Sequence, residues 1–200
     1  MEVADALRRR RMVRSFSGRP VPGPVLEAIL DGALQAPSAG NTGGWDVIVL
    51  QGPAETSLFW EATTTEEWRE SSRRWPGLRR APLALVLFTH PAAYAERYGQ
   101  PDKADSGLAA TDGWPVPYWY VDGGFAALLL LIGATDAGLG GSFMGNFRGE
   151  EALAHALGVP PGRRYLGTVL IGEPAGDDPP SASLARGPRR AADVVHWAGW

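Results

Sequence analysis

Tyr118-Trp119-Tyr120-Val121-Asp122-Gly123-Gly124-Phe125-Ala126-Ala127-Leu128-Leu129-Leu130-Leu131-Ile132-Gly133-Ala134-Thr135-Asp136-Ala137 carries two carboxylates and no cation. A helix that is apolar nearly all round belongs at the centre of a domain, because no face of it prefers water. Its longest unbroken apolar run, residues 125–132, falls well short of the roughly 20 residues that a membrane span needs. Gly138 follows and suits a helix stop, since only a residue without Cβ turns left-handed at low cost.

The elements on either side complete a fold class. Residues 150–157 read as a short helix ended by Gly158, and residues 165–172 as a strand. Toward the N-terminus, residues 83–89 and 45–50 are short apolar runs of strand length. Residues 24–36 predict a helix: Pro24 suits its first position, and Val25, Leu26, Ile29, Leu30, Ala33 and Leu34 recur at spacings of three and four. Pro37 should stop it. Residues 2–11 predict a short helix with Val3 and Leu7 on one face, and residues 53–75 a helix weakened at Thr63-Thr64-Thr65. Residues 91–117, rich in Gly, Pro and Asp, predict an irregular segment of the kind that serves as a lid. With about four strands among long helices, the expectation is one α+β domain over residues 1–200, a small mostly antiparallel sheet enclosed by helices.

Composition narrows the function. The 200 residues include no cysteine, which removes disulfides, zinc–thiolate sites and thiol nucleophiles. Net charge is −3, so no global basic field points to nucleic acid. The arginines crowd residues 8–19, 69–80 and 186–190 instead. Clustered guanidiniums suit a bound phosphate, whose oxygens accept paired charge-assisted hydrogen bonds; a solvated charged face is the plainer alternative. The amino-terminal arginines are followed by no apolar signal region, so a cytoplasmic protein without membrane or nucleic-acid partners is expected.

Several familiar motifs fail on inspection. Gly138-Leu139-Gly140-Gly141 has Phe143 where a dinucleotide fingerprint needs its third glycine, and it follows a helix rather than a strand. Those glycines would instead let backbone approach a flat ligand. No Gly-Lys-Ser/Thr occurs, and His90, His155 and His196 lack metal-ligand spacing. Gly141-Ser142-Phe143-Met144-Gly145 is one position off a nucleophile elbow and has no evident partner base. No metal site and no catalytic acid–base pair is expected. Pro37-Ser38-Ala39-Gly40-Asn41 is either a plain loop or a set of amides, a hydroxyl and a carboxamide for the edge of a heteroaromatic ligand. Between Phe59 and Tyr120 aromatic residues are dense, Trp75 and Trp114 among them; core packing explains some, and several are expected to line a pocket or an interface.

Taken together, these stretches resemble the nitroreductase-like flavoprotein family in order along the chain. Arg10-Arg11-Met12-Val13-Arg14-Ser15-Phe16 is similar to its opening Arg-Arg-Ser-x-Arg-x-Phe, with Met12 in place of the hydroxyl. Ala36-Pro37-Ser38-Ala39-Gly40-Asn41 before Trp45 is similar to its Ala-Pro-Ser-x-x-Asn-x-Gln-Pro-Trp, with Gly43-Gly44 in place of Gln-Pro. Residues 122–140 resemble its central helix and Gly-Leu-Gly exit. Phe143-Met144-Gly145-Asn146-Phe147 resembles the stretch whose amides approach the reactive flavin nitrogen, and Arg189-Arg190 through His196-Trp197 its closing motif. The resemblance implies FMN held by Arg10, Arg11, Met12, Arg14, Pro37, Ser38, Ala39, Asn41, Met144, Gly145, Asn146, Arg186 and Arg189, with Arg186 compensating for Gly187 where relatives carry lysine. It also implies a homodimer with the C-terminal extension docked on the partner subunit. The activity implied is hydride transfer from NAD(P)H to a small-molecule acceptor: a nitroaromatic, a quinone or an unsaturated metabolite. The alternative is a protein that binds or stores flavin without turnover. Residues 99–117 are then expected to govern acceptor choice without being needed for flavin binding.

Overall fold

A computed structural model describes residues 1–200 apart from 72–75, 147, 179–180, 182–184 and 188. Its sheet is built from β1 (Trp45–Gln51), β2 (Leu83–Thr89), β3 (Gly140–Met144) and β4 (Arg164–Gly172), in the order β1-β2-β4-β3 with every pair antiparallel. The helices are α1 (Val3–Arg9), α2 (Gly23–Ala33), α3 (Gly52–Thr63), α4 (Glu66–Ser71), α5 (Pro91–Tyr98), α6 (Tyr118–Asp136) and α7 (Glu150–Ala156). The α+β architecture expected from the sequence is therefore the one observed.

Both faces of the sheet are covered. Strand β2 is buried at every position because alternate side chains enter different cores. Leu83, Leu85 and Leu87 face α2 and α6, while Ala84, Val86 and Phe88 face the layer that holds Phe59, Trp60 and Leu153. Helix α6 buries Asp122, Gly123, Ala126, Ala127, Leu130, Leu131 and Ala134 against the sheet and α2. Its other face leaves Tyr118, Tyr120, Phe125 and Leu128 exposed. Its length of 19 residues, with a mean hydropathy of 1.3 over an 18-residue stretch, satisfies the length and composition of a membrane span, as core helices also do.

Five expectations change. Residues 91–98 form α5: Pro91 sits in the first turn, where its missing N–H costs nothing. Residues 140–144 are strand β3. A Cβ on Gly140 or Gly141 would lie 2.6 Å from Val13 Cγ2 or 2.7 Å from Leu131 Cδ2, so these glycines admit the protein's own side chains, not a ligand. In α1 the packed residue is Ala6, and both Val3 and Leu7 are exposed. The helix expected over 53–75 divides into α3 and α4 at Thr64 and Thr65, and its end at 72–75, with Trp75, lies outside the described residues. Helix α2 ends three residues early, at Ala33, before the stop at Pro37 is reached.

Candidate functional site

The arginine arm lies along the entry of β3, at one edge of the sheet. Beyond α1 the chain runs extended: Met12 bridges Gly141, and Val13 N–H donates to Gly141 O at 2.9 Å. Phe16, fully buried, pins the arm to the core. Ala175 N–H then donates to Ser15 O, and Ser17 N–H to Glu173 O. The arm is thus clamped between β3 and the segment after β4. Arg10 Nη1 is buried there with no hydrogen-bond partner. Arg11 turns back and donates to Arg8 O and Arg10 O at 2.6 and 2.9 Å. Arg14 N–H donates to Asp178 Oδ2 at 2.7 Å, and its guanidinium reaches Met12 O at 3.3 Å. Met12 contributes backbone, while its side chain is exposed.

Sequence reasoning did not single out the polar relay beneath this arm. Arg80 donates to Ser15 Oγ at 2.8 Å, and Ser15 Oγ donates to Asp177 Oδ1 at 2.5 Å. The Ser15 hydrogen bond, then that from Arg80, hold the Asp177 carboxyl below the usual carboxylate range. Two adjacent aspartates after the last strand, within reach of an arginine arm, were the available signal.

A cleft of 450 Å³ opens where β3 ends, lined in part by Trp60, Thr63, Trp68, Met144, Gly145, Asn146 and Arg148. Trp60 and Trp68 stack at 5.9 Å and 17° to form one flat wall. Asn146 Nδ2 and Trp60 Nε1, both buried, have no acceptor. Nearby, burial pushes the Tyr165 hydroxyl up to about 12, so it remains a donor; its oxygen lies 2.9 Å from Thr168 Oγ1. Asp178 Oδ1, on the carboxylate that holds the arm, is a buried acceptor without a donor, but with Arg10 the unmet donors outnumber it, which suits an oxygen-rich anionic ligand with a flat portion.

The loop Pro37–Asn41 lies at the opposite edge, where the chain enters β1. Strands β1 and β3 are three spacings apart, roughly 14 Å. Ser38 Oγ accepts from Gly43 N–H at 2.8 Å, which leaves its own proton for another acceptor. Ala39 N–H donates to Asp122 Oδ2 at 2.8 Å, and Pro37 and Asn41 are exposed. Gly40 and Asn41 are consecutive left-handed residues, with φ of 62° and 54°. Asp122 is buried, and the same Oδ2 accepts from Tyr94 Oη at 2.8 Å. Burial, and then the bond to Asp122, push the Tyr94 hydroxyl far up, so it stays protonated and donating. Asp122 was also missed as a site residue, although a carboxylate one turn into an otherwise apolar helix is itself a signal.

Arg186 and Arg189 are exposed on the C-terminal tail. Arg189 donates to Asp193 O at 2.9 Å, and among the described residues neither is shown in contact with Arg10. Phe147 and Pro188, in the stretches that suggested amides at a flavin and a basic return to its phosphate, lie outside the described residues. Residues 191–200 are exposed throughout, Trp197 and Trp200 almost wholly so.

The family model described as "Nitroreductase family" matches residues 7–173. An NADH dehydrogenase of Thermus thermophilus is 30% identical over 203 residues, covering 92% of each chain. A nitroreductase family protein from Clostridium difficile 630 superposes with a TM-score of 0.73 at 16% identity, over the whole of both chains. The FMN complex of a nitroreductase from Exiguobacterium sibiricum 255-15 does so with a TM-score of 0.72 at 16% identity, covering 98% of this chain and 97% of the other.

Proposed function

Because the chain belongs to the nitroreductase family, we propose that it is an FMN-dependent oxidoreductase that passes a hydride from NAD(P)H to an electron-poor small molecule, a nitroaromatic, a quinone or an unsaturated metabolite. The observation that carries this is the pair of buried, acceptorless donors, Arg10 Nη1 and Asn146 Nδ2, both on the β3 side of the sheet. Such donors cost about 1–3 kcal/mol each when left unmet. A phosphate at Arg10 and a flavin edge at Asn146 satisfy both. The FMN complex of the Exiguobacterium sibiricum protein supports the choice of group.

In this reading Arg10 and Arg14, joined by Arg186 and Arg189, bind the phosphate. The backbone amides at Gly145 and Asn146 face the reactive edge, where a fixed donor stabilises developing negative charge. Bound FMN supplies the two-electron chemistry, and the protein supplies position and electrostatics. Ser38 and Asn41 offer an O–H and a carboxamide to the pyrimidine edge. They lie across the sheet from Asn146, so one flat ring meets both sets only if the loop comes from a second copy of the chain. We therefore propose a homodimer with two shared sites. The exposed apolar face of α6 and the bare tail are the surfaces for it.

The test is the absorbance spectrum of the purified protein, reconstituted with FMN, before and after anaerobic NADH or NADPH. A flavin spectrum at about one per subunit that bleaches, and returns on adding a quinone, is expected. A protein that takes up no FMN refutes the reading. One that binds FMN but is not reduced is a flavin-binding protein without this activity.

A further inference from the structure

Two consecutive residues of α5, Arg97 and Tyr98, grip the same point of the Pro37–Asn41 loop. Arg97 Nε donates to Gly40 O at 2.9 Å. The ring of Tyr98 lies so close over Gly40 that a Cβ there would be 2.8 Å from its Cε2. The same two side chains also hold the segment 99–117. The Arg97 fork donates to both oxygens of Asp102, at 2.8 and 2.7 Å, and to Gln100 Oε1 at 3.1 Å. Tyr98 meets Trp114 edge-on, with centroids 4.6 Å apart. Trp114, buried, closes the segment by donating from Nε1 to Leu108 O at 3.0 Å.

We infer that Arg97 is a positioning residue that couples the segment 99–117 to the backbone of the loop bearing Ser38 and Asn41, so that the docking of one and the binding competence of the other rise and fall together. The inference rests on the flavin reading for the identity of what the loop binds. Asn41 follows Gly40 in the left-handed region, which Asn tolerates better than most residues, so the turn is set by the contacts on its neighbours. The contacts that hold the turn are Asp122 on Ala39 N–H and Arg97 on Gly40 O, on the peptide units either side of the Ala39–Gly40 bond. A guanidinium bound to Asp102 by two parallel bonds is fixed in direction, and its remaining Nε–H then fixes the carbonyl. If Asp102 lets go, the fork swings, and Gly40 and Asn41 relax with it. Linkage makes the effect mutual: a ligand that selects the ordered loop also selects the docked segment. On this inference the segment also affects cofactor affinity, where the sequence expectation gave it acceptor choice alone.

The test combines hydrogen exchange with FMN titration on the full chain. In the FMN-free protein, Asp102→Asn should speed exchange at the amides of Asn41, Thr42 and Gly43, which lie across Arg97 from the change. In the wild-type protein, FMN should slow exchange across 99–117. The FMN Kd should rise about twofold to fivefold in Asp102→Asn, the range for a partly exposed ion pair, and the difference should shrink in high salt. Arg97→Lys, which keeps the charge without the fork, should behave like Asp102→Asn. Unchanged loop exchange in Asp102→Asn overturns the coupling whether or not FMN binds. FMN bound with no change across 99–117 overturns it too. A wild-type protein that takes up no FMN while its loop still answers to Asp102 removes the flavin reading and leaves the coupling standing.

Discussion

Asp122 is the side chain whose loss should report most directly on how the loop is held. In Asp122→Ala, Tyr94 Oη and Ala39 N–H both lose the Oδ2 that they share at 2.8 Å. Tyr94 is fully buried, so water does not replace the acceptor. Two unmet donors cost about 2–6 kcal/mol. The substitution also removes a buried carboxylate that has no ion pair among the described residues, which offsets part of the loss. The net expectation is about 2–3 kcal/mol, or a fall in melting temperature of about 4–12 °C for a chain of this size. Asp122→Asn keeps one oxygen for both donors, loses the charge assistance, about 1 kcal/mol, and puts an NH2 where the second carboxylate oxygen stood. Calorimetry at neutral pH measures the melting temperature, and fluorescence titration measures FMN affinity on the same samples. The loop argument requires a larger fractional loss of FMN affinity in Asp122→Ala than in Asp122→Asn. In a Tyr94→Phe background the Ala substitution should cost less, because one of the two donors is already gone. If both Asp122 variants melt within a degree of wild type and bind FMN equally well, the carboxylate does not hold the loop.

Arg10→Ala and Arg14→Ala should each weaken FMN about tenfold to a hundredfold, the loss of a hydrogen bond to a charged group, and equilibrium titration of both variants checks this. Deleting residues 191–200 should shift the protein toward monomer in light scattering and release flavin; a truncated protein that stays dimeric and yellow contradicts the interface role of the tail. Asp177 is held below the usual carboxylate range by Ser15 and Arg80, so its contribution to stability is present above the ordinary carboxylate pKa and is lost as pH falls through the lowered value. The melting-temperature gap between wild type and Asp177→Asn should therefore be constant near neutrality and close below about pH 4, and a gap unaffected by acid would remove the relay from the account of stability.

Local pattern was enough for the elements that carry their own signal. Strand β2 and helix α6 are continuous apolar runs of lengths suited to their geometries, and each sits within a residue of where the sequence puts it. The arginine arm and the stretch Met144–Gly145–Asn146 were legible as candidates, and the fold brings them to one edge. Strand β3 was hidden because Gly140 and Gly141 have little strand propensity of their own; its pairing with β4 and the packing of Val13 and Leu131 create it. Helix α5 was hidden because Pro91 looks like a breaker until its place in the first turn is known. Residues 83 apart in sequence meet when Asp122 takes the Ala39 amide, and residues 57 apart meet when Arg97 takes the Gly40 carbonyl. Local propensity holds no record of such pairs. The strand order β1-β2-β4-β3 sets the loop and Asn146 on opposite edges, and it does so through long-range pairing that only the assembled sheet decides.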